Sequence, residues 1–255
     1  MRKKIKEKTG LIDFFKEEIP SPSEIILRAI ERKLIPPFDN PEYLKKNFSN
    51  LIEEIQKDAY RLYLEAEEQA GKNAIRQVLS PRISESSSAN AVIEEVAGMF
   101  REFDRFFLSL TQSRRPRAGS AFEIVLKTLF KKFDYPFVEQ AVINGKPDFL
   151  MPSKDYYVKN AMDCIIFTAK RTLRERWKQI VTEGTRGLGF FLATIDEKVS
   201  TPQLEEMKKN RIYLVVPESL KKSLYSETHN VLTFEEFFQY HLDPAVIRWK
   251  AKKIL

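Results

Sequence analysis

Cysteine is almost absent from this sequence, with Cys164 the single one. One thiol excludes a disulfide-stapled scaffold and any cysteine-rich metal site, and it suits a reducing compartment. Histidine is nearly as scarce. His229 and His241 stand alone, away from any ligand cluster, so a histidine-held metal site is not expected. Long apolar runs are missing too: even Ala161 to Phe167, which Asp163 interrupts, falls far below the roughly 18 residues that a membrane span needs. Met1 to Lys6 is basic with no apolar stretch behind it, so no secretory leader is readable. Neither repeats nor low-complexity tracts occur. The expectation is a cytoplasmic globular protein with no membrane partner.

What is present supports a core. Of 255 residues, 43% are hydrophobic and 12% aromatic, which fits one large domain or one domain with a smaller appendage. Lysine and arginine number 43 against 36 acidic residues, a net charge of +7. That excess is modest. Either a solvated surface rich in charge or a nucleic-acid partner accounts for it, so local patterns must separate the two.

The first half reads as helical. Ser21-Pro22-Ser23-Glu24 is a capping box with proline at the first helical position, ahead of Ile25, Ile26, Leu27 and Ile30. Asn40-Pro41 starts a longer helix, with Leu44, Phe48, Leu51, Ile55 and Leu62 at helical spacing, ending near Gly71. Ser80 to Ser88 is the best hinge. A third helix runs from about Ala89 to Leu110, with Val92, Val96, Met99, Phe100, Phe103, Phe106 and Phe107 expected inward as core or dimer packing. After Arg114-Arg115-Pro116-Arg117 the texture changes. A helix from Gly119 to Phe133 precedes strand-like runs at 137–143, 148–151, 164–170, 189–194 and 212–216, with a helix over 171–183 between them. Strands alternating with helices predict a mixed α/β sheet.

Three residues of that half form an ordered set. Pro147-Asp148 opens a strand after the turn Asn144-Gly145-Lys146, Lys170 ends the strand from Cys164, and Glu183 stands 13 residues further on. Alternation puts Ile166, Thr168 and Lys170 on one strand face, where a neighbouring strand offers Asp148. Two carboxylates hold a hard divalent cation, and an ammonium beside them steers an attacking water and offsets phosphate charge. Phosphodiester hydrolysis needs those residue types. Taken singly, each has a plainer reading: a turn aspartate, a solvated strand end, a helix-surface charge.

Pro147-Asp148, Ala169-Lys170 and Glu183 together resemble the PD-(D/E)XK nucleases, in particular the type II restriction endonucleases of the EcoRII–SsoII–PspGI branch. The usual acid two residues before the lysine is replaced here by Thr168, and in this branch a glutamate 13 residues beyond the lysine supplies it. The segment Arg171 to Ile180 resembles the branch's base-reading segment, and Arg117 to Glu123 resembles the helix that brings an additional acidic residue. The resemblance covers roughly residues 110 to 220.

The resemblance implies a PD-(D/E)XK core with a mixed sheet flanked by helices over 89–255, and a helical N-terminal part over 1–88 for dimerisation and DNA contacts. It implies Mg2+ held by Asp148 and Glu183, with Glu123 supporting them and Lys170 orienting the nucleophilic water. No other cofactor is implied. Arg174, Glu175 and Arg176 would read G·C pairs, since arginine forks onto guanine O6 and N7 and glutamate accepts from cytosine N4. Gln112 stands at the place of a further contact to those pairs, while Arg115 and Arg117 suit backbone phosphates. The expected activity is double-strand cleavage of DNA by a homodimer at CCNGG or CCWGG, with flipping of the central bases. A structure-specific repair nuclease and a non-catalytic DNA-binding protein are the alternatives. The intact Asp148, Lys170 and Glu183 speak against the second of these.

Overall fold

The computed structural model of the chain describes residues 10–36, 39–143, 145–173 and 189–255. Its first half is helical, as expected, and α1 Leu11–Glu18 adds to the helices that the periodicity predicts; α2 Pro22–Lys33, α3 Pro41–Lys46, α4 Phe48–Leu79, α5 Ala89–Gly98 and α6 Phe100–Lys132 follow. The capping box forms. The Ser21 N–H donates to Glu24 Oε2 at 2.7 Å and the Glu24 N–H to Ser21 Oγ at 3.3 Å, satisfying amides that the first turn leaves open. Asn40 Oδ1 caps α3 by accepting from Glu42 N at 2.8 Å, and Ser88 Oγ caps α5 through Ala91 N at 3.2 Å.

Three expectations need correction. The helix from Asn40 breaks at Asn47, restarts at Phe48 and then passes through Gly71 to Leu79. One interior glycine costs a helix only about 1 kcal/mol, and a long buried stripe outweighs that. The helix from Ala89 breaks at Met99 rather than at Leu110, and α6 then continues through Arg114, Pro116 and Arg117 without a boundary. Proline removes one backbone bond, which packing along 33 residues overcomes. The apolar residues from Val92 to Phe107 are not all inward, because they span more than one stripe of a helix. Met99, Phe106 and Leu110 are buried, whereas Ile93, Val96, Phe100, Phe107 and Leu108 are exposed, Phe100 at 75%.

Two compact units divide the chain: Met1–Ala29 with Lys57–Ala118, and Ile30–Gln56 with Gly119–Leu255. The first has a core of Leu11, Phe15, Ile26, Tyr63, Ala74, Met99 and Phe106, with Phe15 and Phe106 edge to face at 5.5 Å. Glu67, buried on α4, accepts from the Arg114 guanidinium of α6 (Nε to Oε1 3.1 Å and to Oε2 3.2 Å) and from the Tyr63 hydroxyl. Burial first, and then that carboxylate, push the Tyr63 phenol up.

The second unit holds a six-stranded sheet in sequence order: β1 Val138–Glu139, β2 Phe149–Met151, β3 Ile165–Ala169, β4 Gly189–Ala193, β5 Ile212–Val216 and β6 Val231–Thr233. The pairs β1–β2 and β2–β3 are antiparallel, and β3 to β6 run parallel. Helices α7 Lys154–Asn160, α8 Thr201–Lys209, α9 Glu218–Leu224, α10 Phe234–Phe237 and α11 Asp243–Ala251 complete it. Of these, α7 to α11 and β6 are absent from the expected pattern, because each is short and carries little periodicity. Arg171 to Leu173 are described and are not helical; the rest of the helix expected over 171–183 lies outside the described residues.

Both sheet faces are buried, which suits the near-continuous apolar runs of β3 to β5. One face carries Leu150, Ile166, Leu192 and Leu214 against Leu204 and Met207 of α8. On the other, Phe130 of α6 meets Phe149 at 5.5 Å and Phe167 at 5.4 Å, and Phe48 meets Phe234 and Phe238 at 5.1 and 4.8 Å. Glu235 accepts from Ser49 N and Ser49 Oγ at 2.7 and 2.6 Å, a carboxylate at the electropositive start of α4. Phe130, near the end of α6, thereby packs where β2 and β3 pair.

Candidate active site

The sheet itself brings Asp148 and Lys170 together. Phe149 pairs with Phe167 in the antiparallel register of β2 and β3, so Asp148, one step earlier, stands beside Thr168 and the end of β3. Its carboxylate accepts the Ala169 N–H at 2.8 Å through Oδ2. The Lys170 ammonium reaches the same oxygen at 3.0 Å and Oδ1 at 3.4 Å. Asp148 is 6% exposed, whereas the lysine side chain keeps about a third of its surface open. Lys170 is placed by its backbone too, since its N–H donates to Ala193 O at 2.9 Å and carries the parallel ladder one residue past β3. Thr168, in the position where many such sites carry an acid, is buried with its Oγ1 at 3.5 Å from Asp148 N.

Glu123 enters from α6, one turn after Gly119, and is half-buried. Burial pushes its carboxyl above the ordinary range, the charge of Asp148 adds to the rise, and Lys170 pulls it back. Glu123 therefore lies within the field of both sequence-predicted residues. Glu139 on β1 also faces this group and raises Glu123 slightly, while it is held by Lys127 at 2.5 Å and Lys131 at 3.5 Å. Reading the sequence alone missed Lys127 and Glu139; the Glu123–Lys127 spacing of one helical turn was the available signal.

Two hard carboxylates with raised mutual repulsion are the donor chemistry that a small divalent cation relieves. Among the described residues no group of three His, Cys, Asp or Glu side chains converges. Glu183, Arg174, Glu175 and Arg176 lie outside the described residues. Gln112, Arg115 and Arg117 lie on the part of α6 that belongs to the first unit. Gln112 is exposed, whereas Arg117 is half-buried, donates to Pro20 O at 3.1 Å and lies 5.4 Å over the Tyr63 ring. The remaining titratable candidates are structural. Cys164 is buried, its thiol pushed up to about 12 by burial, and His241 packs on Phe191 and Tyr213 at 4.9 and 5.3 Å with its pKa lowered by burial. Among the described residues no helix is long and apolar enough to cross a membrane.

The chain is similar to known proteins over this region and beyond it. The family described as EcoRII C terminal matches residues 76–238, a span containing Glu123, Asp148, Lys170 and Glu183. The type II restriction enzyme SsoII of Shigella sonnei is 27% identical over 213 residues, covering 78% of this chain and 70% of that enzyme. The type II restriction enzyme EcoRII of Escherichia coli is 35% identical over 140 residues, 51% of this chain but 34% of its own length. Among solved structures, metal-depleted Ecl18kI in complex with uncleaved, modified DNA superposes with a TM-score of 0.77 at 25% identity, over 95% of this chain and 86% of that one. The restriction endonuclease PspGI–substrate DNA complex has a TM-score of 0.64 at 21% identity, over 93% and 96%, which speaks to the fold alone.

Proposed function

This chain belongs to the EcoRII C-terminal family, the EcoRII–SsoII–PspGI branch of type II restriction endonucleases with the PD-(D/E)XK fold, and from that premise we propose that it makes Mg2+-dependent double-strand cuts in DNA at a short palindrome with CC and GG half-sites, of the CCNGG or CCWGG type. One observation carries the chemical part of the reading. Lys170 Nζ lies 3.0 Å from Asp148, and both act electrostatically on Glu123, inside the family match.

In this reading Asp148 and Glu183 hold the cation, and Glu123 supports them. The cation, when bound, supplies Lewis-acid activation of water and neutralises charge on the scissile phosphate. Asp148 is kept aimed by the Ala169 N–H, and that bond leaves Oδ1 with spare acceptor capacity. Lys170, tethered to Asp148 and part-exposed, orients the water and offsets the charge that builds on the phosphate oxygens. No covalent intermediate is needed; positioning and electrostatics supply the rate.

Arg174, Glu175 and Arg176 are proposed as readers of the G·C pairs, with Gln112 making a further contact to those pairs and Arg115 and Arg117 on phosphates. Residues 1–88 are proposed to serve dimerisation and DNA contacts, and 89–255 catalysis. A palindrome cut on both strands needs two such sites related by a two-fold axis, and the exposed Phe100 and Phe107 offer an apolar face for a second copy. Digestion of a plasmid of known sequence with Mg2+, followed by mapping of the ends, tests the whole reading. Ends confined to CC/GG sites support it; cuts scattered without sequence preference would replace it with a structure-specific nuclease.

A further inference from the structure

One stripe of α4 touches three of the four exits from the parallel strands. Ser49 donates to Glu235, at the start of α10 just after β6. Glu53 accepts from the Ser219 hydroxyl, just after β5. Gln56 Oε1 accepts from Arg171 Nη1 at 3.4 Å, two residues after β3. Positions 49, 53 and 56 follow the four- and three-residue steps of a single helix face. Phe48, Ile52 and Ile55 beside them are fully buried, so Gln56 is presented from a packed, rigid element.

Arg171 is fixed at its backbone as well. The Lys170 N–H before it donates to Ala193 O at 2.9 Å, and Arg171 O accepts from the hydroxyl of fully buried Thr194 at 3.3 Å. Leu173 N–H completes the bracket by donating to Asp196 Oδ2 at 2.9 Å. The alternation that sends Thr168 and Lys170 to one side of β3 sends Phe167 to the other, and Arg171, which meets α4, leaves on the side of Phe167. Two cations thus leave consecutive residues in different directions, one onto Asp148 and one onto Gln56.

The partner on α4 is a neutral amide. Its bond orients the Arg171 guanidinium without taking up its charge, and a guanidinium fork suits phosphate oxygens. Successive phosphates of one DNA strand are spaced by a rise of only about 3.4 Å, so a strand that offers one phosphate at Lys170 brings the next within reach of an adjacent arginine. We propose that Arg171 grips a backbone phosphate flanking the scissile one, and that Gln56 is the positioning residue that aims it. The contact carries no sequence information; it sets the strand against Lys170. This rests on the reading of the chain as a DNA endonuclease.

The test is binding, without divalent cation, to a CCNGG-type duplex and to versions of it with one neutral methylphosphonate at each backbone position in turn. Salt titrations and melting curves accompany it. The parent is expected to lose about tenfold in affinity at a position flanking the mapped cut. Arg171→Gln removes the charge and keeps a side chain that can bond Gln56. It should bind about tenfold more weakly, lower the salt slope by about one per subunit, and respond less than about twofold to the methylphosphonate at that position. Arg171→Lys should keep both the slope and that sensitivity. Gln56→Ala should weaken binding by about threefold in the parent and no further in Arg171→Gln, because the two act as one unit. Should Arg171→Gln fail to fold, Arg171→Met, which keeps the apolar stem, is read in its place. A parental salt slope with the parental methylphosphonate pattern, whatever the melting temperature, overturns the proposal and leaves the Gln56–Arg171 bond as a tie between α4 and β3. A parent that binds no duplex overturns the endonuclease reading itself, and the proposal with it.

Discussion

Lys170 and Asp148 are 22 residues apart in the chain and 3.0 Å apart in space. The antiparallel register of β2 on β3 accounts for it, because Phe149 opposite Phe167 leaves Asp148 at the rim where β3 ends and Lys170 emerges. The Ala169 amide holds the carboxylate from the same strand. One short ladder thus sets both groups, and a strand slip of a single residue would turn Lys170 to the other face.

Asp148→Ala, Lys170→Ala and Glu183→Ala are each expected to lower the cleavage rate by about a thousandfold or more, since each removes charge aimed at metal, water or phosphate. DNA affinity should remain within about tenfold, because phosphate contacts elsewhere carry most of it. Single-turnover cleavage and filter binding on the same preparations separate the two. A near-parental rate in any one variant removes that residue from the site.

The Glu123 carboxyl is raised by burial and then by Asp148, which fixes a pH dependence. In the metal-free protein a raised folded pKa costs nothing below the ordinary carboxylate range, where both folded and unfolded chains are protonated there. The cost grows as pH rises through that range toward the folded value, and stays constant above it. Glu123→Gln should therefore melt higher than the parent at neutral pH, with the difference vanishing in acid. Protons also compete with the cation at this carboxyl, so calorimetric metal affinity should fall as pH drops through its raised pKa. An affinity flat with pH down to the ordinary carboxylate range would exclude Glu123 from metal binding.

Arg115→Ala is expected to weaken binding to all duplexes evenly and to reduce the slope of log affinity against log salt by about one phosphate per subunit. Arg117→Ala should do less to the slope and more to stability, about 1–2 kcal/mol, because its guanidinium already serves Pro20 O and the Tyr63 ring. Salt titrations and urea melts of both variants check the contrast. Equal salt slopes for parent and Arg115→Ala would take Arg115 off the DNA.

Phe100 and Phe107 are exposed on α6, and Phe107 stacks on Phe103 at 6.3 Å. If a second copy covers them, Phe100→Glu with Phe107→Glu should weaken self-association by at least about tenfold while changing the monomer's melting little, since charge on an open surface costs the fold almost nothing. Sedimentation equilibrium reads this. An unchanged dimer would place the two-fold contact elsewhere.

The sequence by itself determined the class of the fold and the pairing of Asp148 with Lys170. The α/β order follows from period-2 runs at β2 to β5 alternating with helical stretches, and the capping box at Ser21 set the start of α2 because its contacts are local. Asp148 and Lys170 were legible because strand alternation and a turn act over a few residues. Glu183 and Arg174–Arg176 are proposed for the site through resemblance, and they lie outside the described residues. Tertiary structure decided what depends on distant partners: that α6 runs unbroken through Pro116, that Phe100 and Phe107 stay outside while Phe106 goes in, and that Arg114 spends its charge on buried Glu67. It also decided the bracket from Thr194 and Asp196 onto Arg171 and Leu173. Local propensity is written in neighbouring residues, whereas burial, ion pairing and side-chain-to-backbone anchors are settled by chain segments 20 or more residues apart that only packing brings into contact.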